Sequence, residues 1–179
     1  ETMYKNATEI EREPYTEEDY RFAAEIKASY GNVKFDVQDR MKHYEKSSRA
    51  AAEAVMTPFI DADIYDFIVP LAEVENCLSA STDVGDVSYV CPTVQFKGMT
   101  EAAGTRAHSW QRTAQGKSPI AYKGMIFTAK VMAGTAIDMV ESPDKIEAAK
   151  KELNSRLGGK KYECPIPKDV IPQAIKPKK

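Results

Sequence analysis

The run FIDADIYDFIVPLAEVENCLSAS, residues 59–81, crowds β-branched, aromatic and acidic side chains around a proline, and DVSYVCPTVQFKG, residues 86–98, continues in the same manner. β-Branched and aromatic residues favour a pleated, half-buried surface, so these short runs predict strands separated by turns. Helical signals surround them. TEEDYRFAAEIKASYG (16–31) offers Thr16 as a cap, acids in its first turn, an apolar stripe of Phe22, Ala23, Ile26 and Tyr30, and Gly31 as a stop. DVQDRMKHYEKSSRAAAEAVMTP (36–58) is alanine-rich and predicts a helix in its second half that ends before Pro58. KSPIAYKGMIFTAKVMAGTAIDMVES (117–142) and SPDKIEAAKKELNSRLGG (142–159) each begin with a serine cap and a proline at the first helical position. Strands in the middle and helices on both sides predict an α/β fold, a sheet flanked by helices. Residues 1–15 read as a polar lead-in, and residues 160–179, rich in Pro and Lys, as an extended tail.

The 179 residues are 42% hydrophobic and 29% charged, the balance of a soluble globular chain. A net charge of −2, with lysines spread along the sequence, provides no basic field and argues against a nucleic-acid partner. No apolar run approaches the roughly 20 residues that cross a bilayer, which argues against a membrane partner. The first residues are acidic and polar where a signal peptide is basic and then apolar, so a cytoplasmic address is expected. Cys77, Cys91 and Cys164 are odd in number and lack C-x-x-C spacing, as in a reducing compartment; Cys77 and Cys91 are expected as buried thiols.

Several motifs fail on physical grounds. QRTAQGKS (111–118) ends like a phosphate-binding loop, but Gln111 stands where the first glycine must be. DADIYD (61–66) starts like a calcium loop, yet Tyr65 and Asp66 occupy the places of an oxygen ligand and the turn glycine. No G-x-S-x-G elbow is present. His43 lies among charged residues at helical spacing and reads as a solvated side chain. Two stretches remain, ASTDVGDVS (80–88) and GTRAHSWQ (104–111). The first gathers hydroxyls and carboxylates after an apolar run, as site loops do, and it also fits a helix start capped by Ser81 or Thr82. The second holds His108, one of two histidines, beside the only tryptophan, Trp110; it reads either as a site or as a hydrogen-bonded loop.

STDVGDVSYVCPTVQ (81–95), GT..HSWQ (104–111) and GKSPIAYKGM (116–125), in this order and spacing, closely resemble the C-terminal part of the aminobenzoyl-glutamate hydrolase family, within the aminoacylase and carboxypeptidase class of dinuclear zinc hydrolases. The resemblance is strongest from Ser81 to Ala136. It implies a two-domain enzyme in which residues 1–15 leave a lid domain and residues 16–159 complete a three-layer catalytic domain. It maps a late metal-ligating histidine onto His108, places Ser81, Thr82, Asp83 and Trp110 near substrate, and puts Asp86 and Ser109 behind them as supporting partners. Ala80 departs from a common glycine, and Arg106 and Ala107 from a common Pro-Gly. The implied cofactor is a pair of zinc ions, with manganese as the alternative metal, and the implied substrate is an N-acyl amino acid such as aminobenzoyl-glutamate. The early histidine motif of this class is absent here, and no Glu-Glu pair stands next to a histidine. The chain is therefore expected to be a C-terminal fragment that binds no metal alone and is inactive alone. It is expected to partner the missing N-terminal half and a second copy or a paired hydrolase subunit. The alternative is a non-catalytic α/β module whose His108 and Trp110 line a ligand or protein pocket.

Overall fold

The computed structural model describes residues 1–31, 44–72 and 82–170. Its elements are α1 (Thr2–Glu9), α2 (Glu17–Ala28), α3 (Lys46–Met56) with a 3-10 turn (Thr57–Phe59), α4 (Val84–Val90), α5 (Trp110–Gln115), α6 (Pro119–Glu141) and α7 (Pro143–Leu157). They fall into two compact units, one within Glu1–Ser79 and Gln95–Glu141, the other within Ala80–Val94 and Ser142–Lys179.

The predicted sheet flanked by helices is not there. Among the described residues the fold is helical, and the one β-type position is an isolated bridge at Tyr44. Residues 62–72 and 92–100 have no regular structure, and residues 73–81, part of the predicted strand region, lie outside the described residues. The β-branched and aromatic side chains that suggested strands pack instead on a helix. Tyr65, Phe67 and Val69 join Phe59 and Met99 around Ala52 and Met56 of α3. Composition of this kind reports a half-buried surface, and it says nothing about whether a neighbouring strand offers a ladder of donors and acceptors. Pro70 and Pro92 also withhold two backbone donors from any such ladder. The other predicted strand, DVSYV, is helix α4, closed by Val87 N–H donating to the Asp83 carbonyl (3.2 Å) and Cys91 N–H to the Val87 carbonyl (3.0 Å).

In the first unit α2 forms where the capping signals placed it. Thr16 accepts from the Asp19 N–H and the Asp19 carboxylate accepts from the Thr16 N–H, a reciprocal capping box. Ala23 and Ile26 from α2 meet Ile64, Ala102 and Ile120 in one apolar cluster, and α3 forms a second. The lead-in holds a helix its polar composition did not signal: α1 turns Ala7 onto Phe127 and Val131 of α6. Asn6 seals this contact by donating to the Asp138 carboxylate at 2.7 Å. α6 starts at Pro119, with the Ser118 hydroxyl accepting from the Ala121 N–H at 3.2 Å.

Within the second unit α7 starts at Pro143, although the Ser142 side chain makes no cap bond, and it stops at Gly158 in the left-handed region (φ 57°). The Tyr162 hydroxyl donates to Asp86 of α4 at 2.8 Å, and the Tyr162 ring stacks on Tyr89. Cys91, expected to be buried, is exposed because α4 buries none of its residues; Cys77 and His43 lie outside the described residues.

Candidate functional site

Residues 101–116 carry His108, and the loop is held from below by one amide. Gln115 is fully buried. Its carbonyl accepts from the Ala102 N–H at 2.6 Å, and its amide donates to the Thr105 hydroxyl at 3.1 Å and the Gln111 carbonyl at 3.0 Å. A buried amide whose donors and acceptor are engaged fixes the backbone on both sides of it. Ala103 is tied to the rest of the unit through its N–H, which donates to the Asp63 carbonyl (2.8 Å), and through its carbonyl, which accepts from the Tyr30 hydroxyl (2.5 Å). Burial raises the Tyr30 phenol above its ordinary pKa, so it stays a donor. At the outer edge Arg112 grips Glu101 with two nitrogens, Nε at 2.7 Å, and this hydrogen bond raises the guanidinium pKa further.

On this base the chain turns through Gly104 (φ 77°) and reaches His108, whose φ of 57° makes it the one non-glycine in the left-handed region among the described residues. A β-carbon there crowds the following carbonyl, so the conformation persists because its flanks are fixed. Ser109 supplies the fixing on one side. Its hydroxyl donates to the Arg106 carbonyl at 2.7 Å and accepts from the Arg112 N–H at 3.3 Å, capping α5. His108 is exposed, and Trp110, at the first position of α5, is 65% exposed.

The other sequence-predicted residues lie in the second unit. Thr82 accepts from the Val84 N–H (3.4 Å), Asp83 takes the N-cap position of α4 without a side-chain cap bond, and Asp86 follows in the first turn. Asp86 accepts from Tyr162, and that contact holds the phenol well above its usual range. Ser81 lies outside the described residues. The structure thus places His108, Ser109 and Trp110 together on one loop, and Thr82, Asp83 and Asp86 together at one helix start, in separate units. A small cavity of about 50 Å³ in the first unit, bordered by Tyr15, Phe67, Lys123 and Phe127, does not include His108.

Zinc sites are built from about four ligands. Among the described residues no three His, Cys, Asp or Glu side chains gather as a metal site would require. Sequence reasoning missed Gln115, Gln111 and Tyr30. Their signal was faint: two glutamines four apart, within the rejected phosphate-loop motif and beside the small residues of EAAGT.

No family model matches the chain, and no solved structure matches it. Two curated relatives do. Xaa-Arg dipeptidase of Mus musculus is 36% identical over 84 residues, 46% of this chain and 19% of that protein. A p-aminobenzoyl-glutamate hydrolase subunit of Escherichia coli (strain K12) is 30% identical over 174 residues, 97% of this chain and 36% of that protein. The chain spans little more than a third of the length of the longer-matched relative. Identity sustained over nearly all of its residues bears out the three sequence blocks, and the chain is a homologue of this p-aminobenzoyl-glutamate hydrolase.

Proposed function

We propose that this chain forms part of a metal-dependent amidohydrolase of the peptidase kind, and that His108 is its contribution to the metal site. The observation that carries the reading is an exposed imidazole, held in left-handed backbone at the tip of a hydrogen-bonded loop, in a chain homologous to a hydrolase. Two relatives named for cleaving an aminobenzoyl-glutamate or a dipeptide support amide-bond hydrolysis. The substrate class is an N-acyl amino acid such as aminobenzoyl-glutamate. A pair of zinc or manganese ions, when bound, supplies Lewis-acid activation of water and of the amide carbonyl.

The chain's own residues then hold and orient. Ser109 fixes the His108 backbone through its cap, Trp110 offers an apolar surface to the acyl group, and Ser81, Thr82 and Asp83 contribute hydroxyl and carboxylate groups to the substrate. Asp86 supports that loop from α4. One imidazole does not make a dinuclear site, so the 179 residues alone are inactive and bind no metal tightly. The Escherichia coli relative is named as one subunit of its hydrolase, which supports assembly with a paired hydrolase subunit or a second copy.

The test uses the full-length gene product. Elemental analysis should find about two metal ions per chain, and aminobenzoyl-glutamate should be cleaved. His108→Ala should lose metal and reduce turnover by roughly 100-fold or more, with unchanged circular dichroism. Metal content and turnover that survive the substitution would make His108 a loop residue and overturn the proposal.

A further inference from the structure

α4 is seven residues long and buries none of them. Isolated helices shorter than roughly 12 residues are marginal in water, so its placement depends on what grips it from outside. Among the described residues, the side-chain hydrogen bond and the ring contact that reach α4 from elsewhere both come from Tyr162. The Tyr162 hydroxyl donates to Asp86 at 2.8 Å, a bond strengthened by the carboxylate charge. Its ring stacks on Tyr89 with centroids 6.2 Å apart and planes inclined by 22°. Asp86 and Tyr89 are three residues apart and so share one face of the helix. Two grips on one face fix the position of α4 and also its rotation about its own axis. The chain delivers this tyrosine through a turn after α7, where Gly158 and Gly159 take φ of 57° and 80° and the Lys160 N–H donates to the Leu157 carbonyl at 3.0 Å. A segment whose composition reads as an extended tail thus carries the anchor of a helix.

We infer that Tyr162 is a positioning residue for substrate binding: it fixes α4, and α4 carries Thr82 and Asp83. The link between them is backbone. The Asp83 carbonyl accepts from the Val87 N–H at 3.2 Å, and the Thr82 hydroxyl accepts from the Val84 N–H at 3.4 Å. Both residues therefore follow the first turn of α4 wherever the helix goes. The inference rests on the proposed place of Thr82 and Asp83 at the substrate and adds to it the group that holds them there. The Tyr162 hydroxyl is committed to Asp86 and its ring to Tyr89, so it acts through the helix. Losing it lowers affinity for the substrate and leaves the metal and the chemical step in place, which separates it from the role proposed for His108.

Steady-state kinetics and amide hydrogen exchange on the full-length protein test it, with aminobenzoyl-glutamate as substrate. Tyr162→Phe keeps the ring and loses the hydrogen bond, and should raise KM by roughly fivefold. Tyr162→Ala loses both grips and should raise KM by roughly tenfold or more, with kcat and metal content close to wild type. In the same variant the Val87 and Cys91 amides, which close α4, should exchange faster. In an Asp86→Ala background Tyr162→Phe should add nothing further, because the two groups act as one contact. An unchanged KM in Tyr162→Ala would overturn the inference, even with faster exchange, since the tyrosine would then hold a helix that has no part in binding. Effects of Tyr162→Phe and Asp86→Ala that simply add would overturn it too. A protein that cleaves the substrate and loses metal on His108→Ala, yet keeps its KM in Tyr162→Ala, would fail this inference while leaving the functional reading intact; a wild type that cleaves nothing would sink both.

Discussion

At His108 the backbone sits where glycine is at ease and histidine is not, with φ at 57°. The left-handed region penalises a β-carbon by roughly 1–2 kcal/mol, and the Ser109 cap and the Gln115 amide hold the chain there. Strain retained at an exposed histidine suggests a side chain selected for what it meets rather than for stability. Two substitutions separate these contributions. His108→Ala keeps the β-carbon and the strain; His108→Gly removes both, and its added freedom in the unfolded chain offsets part of the gain. His108→Gly should therefore be more stable than His108→Ala by about 0.5–1 kcal/mol in urea titrations, while both lose metal in the full-length protein. Equal stabilities would show that the loop relaxes once the imidazole is gone.

At the scale of elements, α6 organises the first unit, and Gly124 is where the chain crosses it most closely. A β-carbon at 124 would stand 1.7 Å from the Met99 carbonyl oxygen and 2.7 Å from its carbon. On a solvated helix Gly→Ala adds about 1 kcal/mol of stability. Here the obstacle is backbone, so Gly124→Ala should destabilise by roughly 1–3 kcal/mol as residues 98–100 are pushed off the helix. A gain in thermal stability would contradict this crossing. The helices show which signals a sequence carries plainly. Thr16 with Asp19, Pro119 behind Ser118 and Gly158 after Leu157 are local cues, and α2, α6 and α7 begin or end at them. The sheet was misread because pairing depends on a distant neighbour, whereas Tyr65, Phe67 and Val69 record only that they will be half-buried. α1 went unread because its packing on α6 hangs on Ala7 and Asn6 in a polar stretch. His108, Ser109 and Trp110 stood out through their motif, while Gln115, which supports them, is legible only once Ala102 and Thr105 are seen against it.

At the scale of the whole unit, one buried ion pair ties its sequence-distant parts together. The Asp19 carboxylate is 3% exposed and accepts from Lys123 Nζ at 2.7 Å as well as from the Thr16 N–H at 2.8 Å, while Lys123 also donates to the Pro14 carbonyl at 2.9 Å. Burial pushes the Asp19 carboxyl up, but the Lys123 ammonium and the Thr16 donors outweigh it and leave its pKa below the ordinary value. The hydrogen bond to Asp19 in turn raises Lys123. A depressed carboxyl stabilises the fold above its unfolded pKa, near 3.9, and that contribution is lost as pH falls through the folded value. A raised lysine stabilises below its unfolded pKa, about 10.4, and its share is lost only as pH rises through the still higher folded value. Between these limits the pair is intact, and Lys123→Met leaves a buried carboxylate without its cation. At pH 7 that should destabilise the unit by roughly 3–5 kcal/mol. Once Asp19 is protonated it no longer needs the cation, so the difference between wild type and Lys123→Met in urea midpoints should narrow progressively below pH 4. A gap of the same size at pH 3 and pH 7 would show that Lys123 acts through its packing against the Tyr15 ring, 5.8 Å away, rather than through Asp19.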